Sequence, residues 1–183
     1  MIETQQTVAI AAGIDNTWDY SKNFERWASI MPGYQTSEIE DEDNSLWILK
    51  VGVGAMVRVV KVRVHVEEWD GPERVTFSFR LEGDPVVGSG SYVASALSEK
   101  QTEVTLHVRV EGSGPMAPMW EAMGAPVLNK FAKSFALDLK ARIEEHAGSP
   151  GIADQVSTSR TTDSASSRFW RWLRAIFTGR KAC

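Results

Sequence analysis

The chain has 183 residues, 43% of them hydrophobic and 24% charged, a composition that supports one domain with a sizeable core and excludes wholesale disorder. Its net charge of −4 is unevenly divided: residues 1–147 carry 14 basic and 22 acidic side chains, whereas residues 148–183 carry 6 and 2. An acidic body argues against nucleic-acid binding, and a single cysteine, Cys183, leaves no internal disulfide and no thiolate metal site.

The first segment, MIETQQTVAIAAG, lacks the basic head and long apolar core of a signal peptide, and no run approaches the roughly 18 apolar residues of a membrane span. The expected location is therefore cytoplasmic. Residues 3–12 alternate loosely and predict a first strand. Asp15 then reads as the N-cap of a helical stretch through Trp18, Tyr20, Phe24 and Trp27, divided into two short helices near residues 21–23 and closed by Pro32-Gly33.

Beyond Gly33 the period changes from helical to two. Residues 34–40 and 46–51 form a hairpin about Asp43-Asn44, and residues 56–69 a long strand with Val60, Val62, Val64 and Val66 on one face and Lys61, Arg63, His65 and Glu67 on the other. The adjacent Val59 and Val60 predict a bulge. In the next strand Val75, Phe77, Phe79 and Leu81 share a face. The strand at 87–97 opens with VGSGS, where Gly88 and Gly90 share a face with Tyr92 and leave a gap for something else to fill. Residues 102–110 alternate with Val104, Leu106, Val108 and Val110 inward.

From residue 116 to about 146 the pattern is helical: Met116, Met119, Trp120, Met123, Val127, Phe131, Phe135 and Leu139 make one apolar face. Pro126 inside it predicts a kink or a fresh start near Gly124. The order defines an α+β fold, a curved antiparallel sheet whose apolar concave face is covered by the last long helix, a helix-grip arrangement.

The methionine and aromatic stripe has two readings. It closes the core beneath the sheet, or it lines an adaptable apolar pocket, to which flexible thioethers and a flat ring are suited. In the second reading the binding residues are Phe77, Phe79, Tyr92, Met116, Met119, Trp120, Met123, Val127, Phe131 and Phe135, and the ligand is a hydrophobic small molecule. Of the three histidines, His65 and His107 fall on wet strand faces and His146 at a helix end; with no metal-binding or nucleophile motif, they read as surface residues. The carboxylates Glu38, Glu40, Asp41, Glu42 and Asp43 lack the glycine and later glutamate of a calcium loop and read as a solvated turn. No catalytic residue and no metal ligand is assigned.

Residues 148–167, GSPGIADQVSTSRTTDSASS, read as a flexible linker whose ends lie about 25 Å apart. After it, Phe169, Trp170, Trp172, Leu173, Ile176 and Phe177 fall on one side of a helical wheel, opposite Arg168, Arg171 and Arg174. A short basic amphipathic helix of this kind folds when its apolar face is taken up, by a membrane interface or by a groove on a protein; the tryptophan-rich face behind a linker favours the interface. Cys183 is not part of a prenylation box.

Trp18, Pro32-Gly33, VKVRVHVEEWDGPERVTFSF, VGSGSYVASAL and GSGPMAPM leading into a long helix resemble the START/Bet v 1-like superfamily, which includes the polyketide cyclase-like proteins. Within it, residues 2–145 are most similar to the CoxG family of proteins associated with carbon monoxide dehydrogenase. The chain departs from that family's pattern at Ile30-Met31, where a cysteine is common, and at the opening of the last helix. The resemblance implies a non-catalytic, peripheral membrane protein that carries a lipophilic molecule such as a respiratory quinone and serves a molybdenum-type carbon monoxide dehydrogenase, with no covalently bound cofactor. A cyclase or aromatase using the same cavity is the alternative.

Overall fold

The computed structural model describes residues 1–53, 56–115 and 117–148, with the side chains of Val53, Met56, Met119, Trp120, Glu121 and Met123 left out. The elements in chain order are β1 (Ile2–Ile10), α1 (Ile14–Ser21), α2 (Phe24–Ile30), β2 (Tyr34–Ile39), β3 (Asn44–Val53), β4 (Met56–Asp70), β5 (Arg74–Leu81), β6 (Val86–Ser98), β7 (Gln101–Gly112) and α3 (Ala117–Gly148). The strands form one seven-stranded sheet in the order β1-β7-β6-β5-β4-β3-β2, antiparallel throughout. From β2 to β7 the chain is a simple meander. Strand β1 lies out of sequence, paired with β7 from Ile2 opposite Val110 to Ile10 opposite Thr102.

Period-two alternation decides which side of each strand is buried. Val62, Val64 and Val66 of β4, Val75 of β5, Tyr92 and Ala94 of β6, and Val104 and Leu106 of β7 are all buried on the concave face. The opposite face carries Lys61, His65 and Arg109, all exposed. Removing each large aliphatic side chain from water stabilises the fold by about 1.5–3 kcal/mol.

The strand at Val59-Val60 keeps an unbroken register, Val59 opposite Lys50 and Val60 opposite Leu49. The expected bulge is absent there because Val59 is simply an outward position, 62% exposed, while Val60 turns inward. The irregularity of β4 lies between Val66 and Glu68, where Glu67 is the extra residue against β5.

The two short helices form as the sequence predicts, with one correction. The N-cap of α1 is Gly13, whose backbone is extended and makes no side-chain cap, and Asp15 sits inside the first turn. There its charge is favourably placed against the helix dipole. In α2, Asn23 is a true cap: its Oδ1 accepts from the Arg26 amide at 3.2 Å. Phe24, Trp27 and Ala28 of α2 are buried.

Helix α3 runs through Pro126 as a single helix, without the fresh start predicted near Gly124. Pro126 and Ala122, the residue whose carbonyl loses its usual donor, are both exposed, so that carbonyl can be satisfied by solvent. The second half of the helix is the anchor: Phe135, Ala136, Leu139 and Ile143 are buried on the sheet. Two polar contacts fix it to the end of β1, Lys140 Nζ donating to the Ala9 carbonyl and Glu144 Oε1 accepting from the Ala11 amide at 2.8 Å.

Candidate functional site, an apolar cavity beneath the sheet

Between the concave face and the first half of α3 lies a cavity of about 280 Å³. The strands contribute Trp47, Leu49 and Val51 from β3, Val60, Val62 and Val64 from β4, Phe77, Phe79 and Leu81 from β5, and Leu106, Val108 and Val110 from β7. Ile2, Val86 and Gly112 complete the sheet side; Gly124, Val127, Leu128, Phe131, Ala132 and Phe135 of α3 form the opposite wall, and Trp27 and Met31 close the end beside α2. Among the described residues at this wall the one polar residue is Ser91, at a position that alternates to the outer face of β6, and none is ionisable. The space is just below the roughly 300–1,000 Å³ range of small-molecule pockets. Its walls can exclude water from an apolar guest, but they offer no group to move a proton.

Five residues expected at a binding surface, Phe77, Phe79, Val127, Phe131 and Phe135, are brought together on this wall. Tyr92 is not among them. It is fully buried on the same concave face, paired with Leu106 and with its ring 5.7 Å from that of Trp27, but it is absent from the wall. Desolvation pushes its phenol up to about 12. The Ser21 hydroxyl beside it opposes that shift in part, yet the two make no hydrogen bond of normal geometry. Met116 lies outside the described residues, as do the side chains of Met119, Trp120 and Met123. The linker 148–167 (beyond Gly148) and the tail residues Arg168 to Phe177 lie outside them as well.

The gap expected at Gly88 and Gly90 is filled from within the sheet. Phe79 is opposite Gly88 and Phe77 opposite Gly90 in the β5–β6 register, and each ring lies over the glycine. Small residues on β6 thus make room for two phenyl rings that then face the cavity. Sequence reasoning placed Val60, Val62, Val64, Leu81, Leu106, Val108 and Val110 on inner strand faces without assigning them to the cavity, and it missed Trp27, Met31, Leu128, Ala132 and the β3 set Trp47, Leu49 and Val51 altogether. In β3 the apolar run Leu46-Trp47-Ile48-Leu49 hides which face is inward, and only the pairing of Trp47 with Val62 and Leu49 with Val60 puts the odd positions on the wall.

The remaining candidates are surface features. His65 Nδ1 pairs with Asn44 Oδ1 at 3.0 Å, His107 approaches Glu3 at 3.7 Å and His146 approaches Asp19 at 3.4 Å. Asp41 Oδ1 accepts from the amides of Asp43 and Asn44 at 2.9 and 2.7 Å, which holds this carboxyl below its ordinary range and organises the turn. Among the described residues no group of three or more potential ligands could hold a metal ion. No described helix is long and apolar enough to cross a membrane.

A curved seven-stranded antiparallel sheet gripping a long C-terminal helix around an apolar cavity defines a helix-grip domain of the START/Bet v 1-like class. Residues 1–144 match the family described as polyketide cyclase/dehydrase and lipid transport, and the chain belongs to that family. No curated protein sequence matches it. Among solved structures, a conserved protein from Geobacillus kaustophilus is 16% identical with a TM-score of 0.69, covering 79% of this chain and 96% of its own. A START superfamily protein from Mycobacterium smegmatis is 14% identical with a TM-score of 0.61, over 78% and 97% of the two chains. The Zhui aromatase/cyclase from a Streptomyces species is 18% identical with a TM-score of 0.57, over 78% and 93%. At these identities the likeness is one of fold.

Proposed function

We propose that this protein binds and carries a lipophilic small molecule without chemically changing it. The observation that carries the reading is the cavity itself: a space under the sheet whose described wall is apolar and free of ionisable groups. Transfer of an apolar guest from water into such a space is favourable by about 25 cal/mol for each Å² removed from solvent. Many of the wall residues also belong to the hydrophobic core, where the buried half of α3 and the aromatic packing of α2 hold them in place around that space.

The wider reading joins this carrier to a membrane. The basic amphipathic segment at 168–177 holds the protein on an anionic surface from the cytoplasmic side, and the linker lets the domain move between bilayer and a soluble partner. Similarity to the CoxG family supports a quinone as the guest and a molybdenum-type carbon monoxide dehydrogenase as the partner. The likeness to an aromatase/cyclase favours a second reading, in which the cavity folds a reactive chain. That reading requires an acid or base at the wall.

Native mass spectrometry of the full chain, released gently from the membranes of its own source cells, separates them. A co-purifying lipophilic molecule, recovered unchanged after incubation, supports the carrier. Conversion of that molecule by the purified protein supports the cyclase, and an empty protein that takes up no lipophile overturns both.

A further inference from the structure

Among the described residues, four polar atoms in the interior have no hydrogen-bond partner: Thr17 Oγ1, Ser21 Oγ, Trp27 Nε1 and Tyr92 Oη. Their residues are at most 2% exposed. They are also connected. Thr17 and Ser21 stand one turn apart on α1, the Ser21 hydroxyl lies beside the Tyr92 phenol, the Tyr92 ring packs 5.7 Å from Trp27, and Trp27 forms the end wall of the cavity.

Among the described residues the other buried polar side chains are satisfied, which makes this cluster stand out. Trp47 Nε1 donates to Ser45 Oγ at 2.9 Å, Thr102 Oγ1 donates to the Ala12 carbonyl at 2.8 Å, and Thr4 Oγ1 donates to Asn129 Oδ1 at 2.5 Å. Leaving a buried donor unmet costs more than an ordinary hydrogen bond contributes, and the facing Ser21 and Tyr92 hydroxyls can satisfy one donor between them at most, so Trp27 Nε1 and one of those hydroxyls still require a partner.

We infer that the inner end of the cavity, behind the Trp27 indole, receives the neutral oxygen-bearing end of an otherwise apolar ligand, which accepts hydrogen bonds from Trp27 Nε1 and the Tyr92 hydroxyl. This rests on the carrier reading above and specifies its ligand class: a lipophile with a carbonyl, ether or hydroxyl oxygen. The indole belongs to both the cavity wall and the polar cluster, and its Nε1 is buried on the cluster side, so the ligand's oxygen reaches the cluster only past that ring. Trp27 Nε1 can only donate, which requires an acceptor on the ligand. A carboxylate or ammonium end is excluded, since no described residue at the wall offers a compensating charge. The raised phenol pKa keeps Tyr92 a neutral donor across the physiological range.

The test uses the full chain, its Tyr92→Phe and Ser21→Ala variants, and two probes of matched size, acetylnaphthalene and ethylnaphthalene, titrated by calorimetry. Ethylnaphthalene carries no oxygen for the Tyr92 hydroxyl to donate to, so its binding should stay within about twofold in both variants, while acetylnaphthalene binding weakens about 5-fold in Tyr92→Phe, the loss of one net hydrogen bond. Ligand-free Tyr92→Phe should also melt a few degrees higher, because it removes an unmet polar group. Equal effects on both probes, no effect on either, or a lower melting temperature in Tyr92→Phe would overturn the inference while leaving the carrier in place. Failure of both probes to bind the unsubstituted protein would remove the carrier reading too.

Discussion

Phe79 lies so close over Gly88 that a Cβ there would come within 2.2 Å of the Phe79 ring and 2.6 Å of the Arg109 carbonyl oxygen. The ring could turn aside, but the carbonyl belongs to the β6–β7 ladder and cannot move without breaking register. Gly88→Ala should therefore cost about 1–3 kcal/mol, the usual range for overpacking, and Gly90→Ala about as much against the His107 carbonyl at 2.8 Å. Denaturant unfolding of the two variants checks this. A neutral result at both would mean that the β5–β6 face is looser than the contacts imply.

Phe135 joins the anchor of α3 to the cavity wall. It is 7% exposed and packs 5.7 Å from the Trp27 ring, so Phe135→Ala should cost about 3–5 kcal/mol. Val127, half-buried at the more open part of the same wall, should cost distinctly less when cut to alanine. Thermal unfolding distinguishes the two. Equal losses would place the stabilising core elsewhere.

Glu144 accepts from the Ala11 amide, and this hydrogen bond, with Lys140 nearby, holds its carboxyl below the ordinary value of 4.5. A carboxyl lowered on folding contributes stability that is present above its unfolded pKa and lost as pH falls through its folded one. The stability difference between the wild-type chain and Glu144→Gln should thus be present at neutral pH and shrink as pH drops from about 5 toward 3. Unfolding curves at several pH values measure it. A gap that widens on acidification would contradict the assignment.

If the segment around Arg168, Arg171 and Arg174 seats on anionic lipid, each arginine contributes about 1 kcal/mol near the surface. Replacing all three by glutamate should abolish flotation with anionic vesicles, and raising salt should weaken the wild-type association. Flotation unchanged by the replacement would remove the anchor from the account and leave the cavity untouched.

The sheet was legible because β4, β5 and β7 alternate cleanly, with Val62, Phe77 and Leu106 each flanked by polar or outward residues. Local signals failed where two explanations shared one pattern. Val59-Val60 looks like a bulge only if both valines need burial, and one is exposed. Asp15 looks like a cap, but Gly13 stands at the extended position preceding the helix. Tyr92 shares the parity of the wall, yet α1 and α2 cover it, a contact between distant segments that strand period cannot report. The same packing hides the unmet polar atoms, since each of Thr17, Ser21 and Trp27 is ordinary in its own helix.

The central claim is that a lipophilic guest occupies the space between the sheet and α3. It is tested most directly by filling that space with Val108→Phe and Val127→Phe together and titrating ethylnaphthalene into wild-type and filled full-length protein. The account predicts one-to-one binding to the wild type and at least a tenfold loss in the filled variant, with a cooperative unfolding transition retained in both. Equal binding to the two proteins would contradict it.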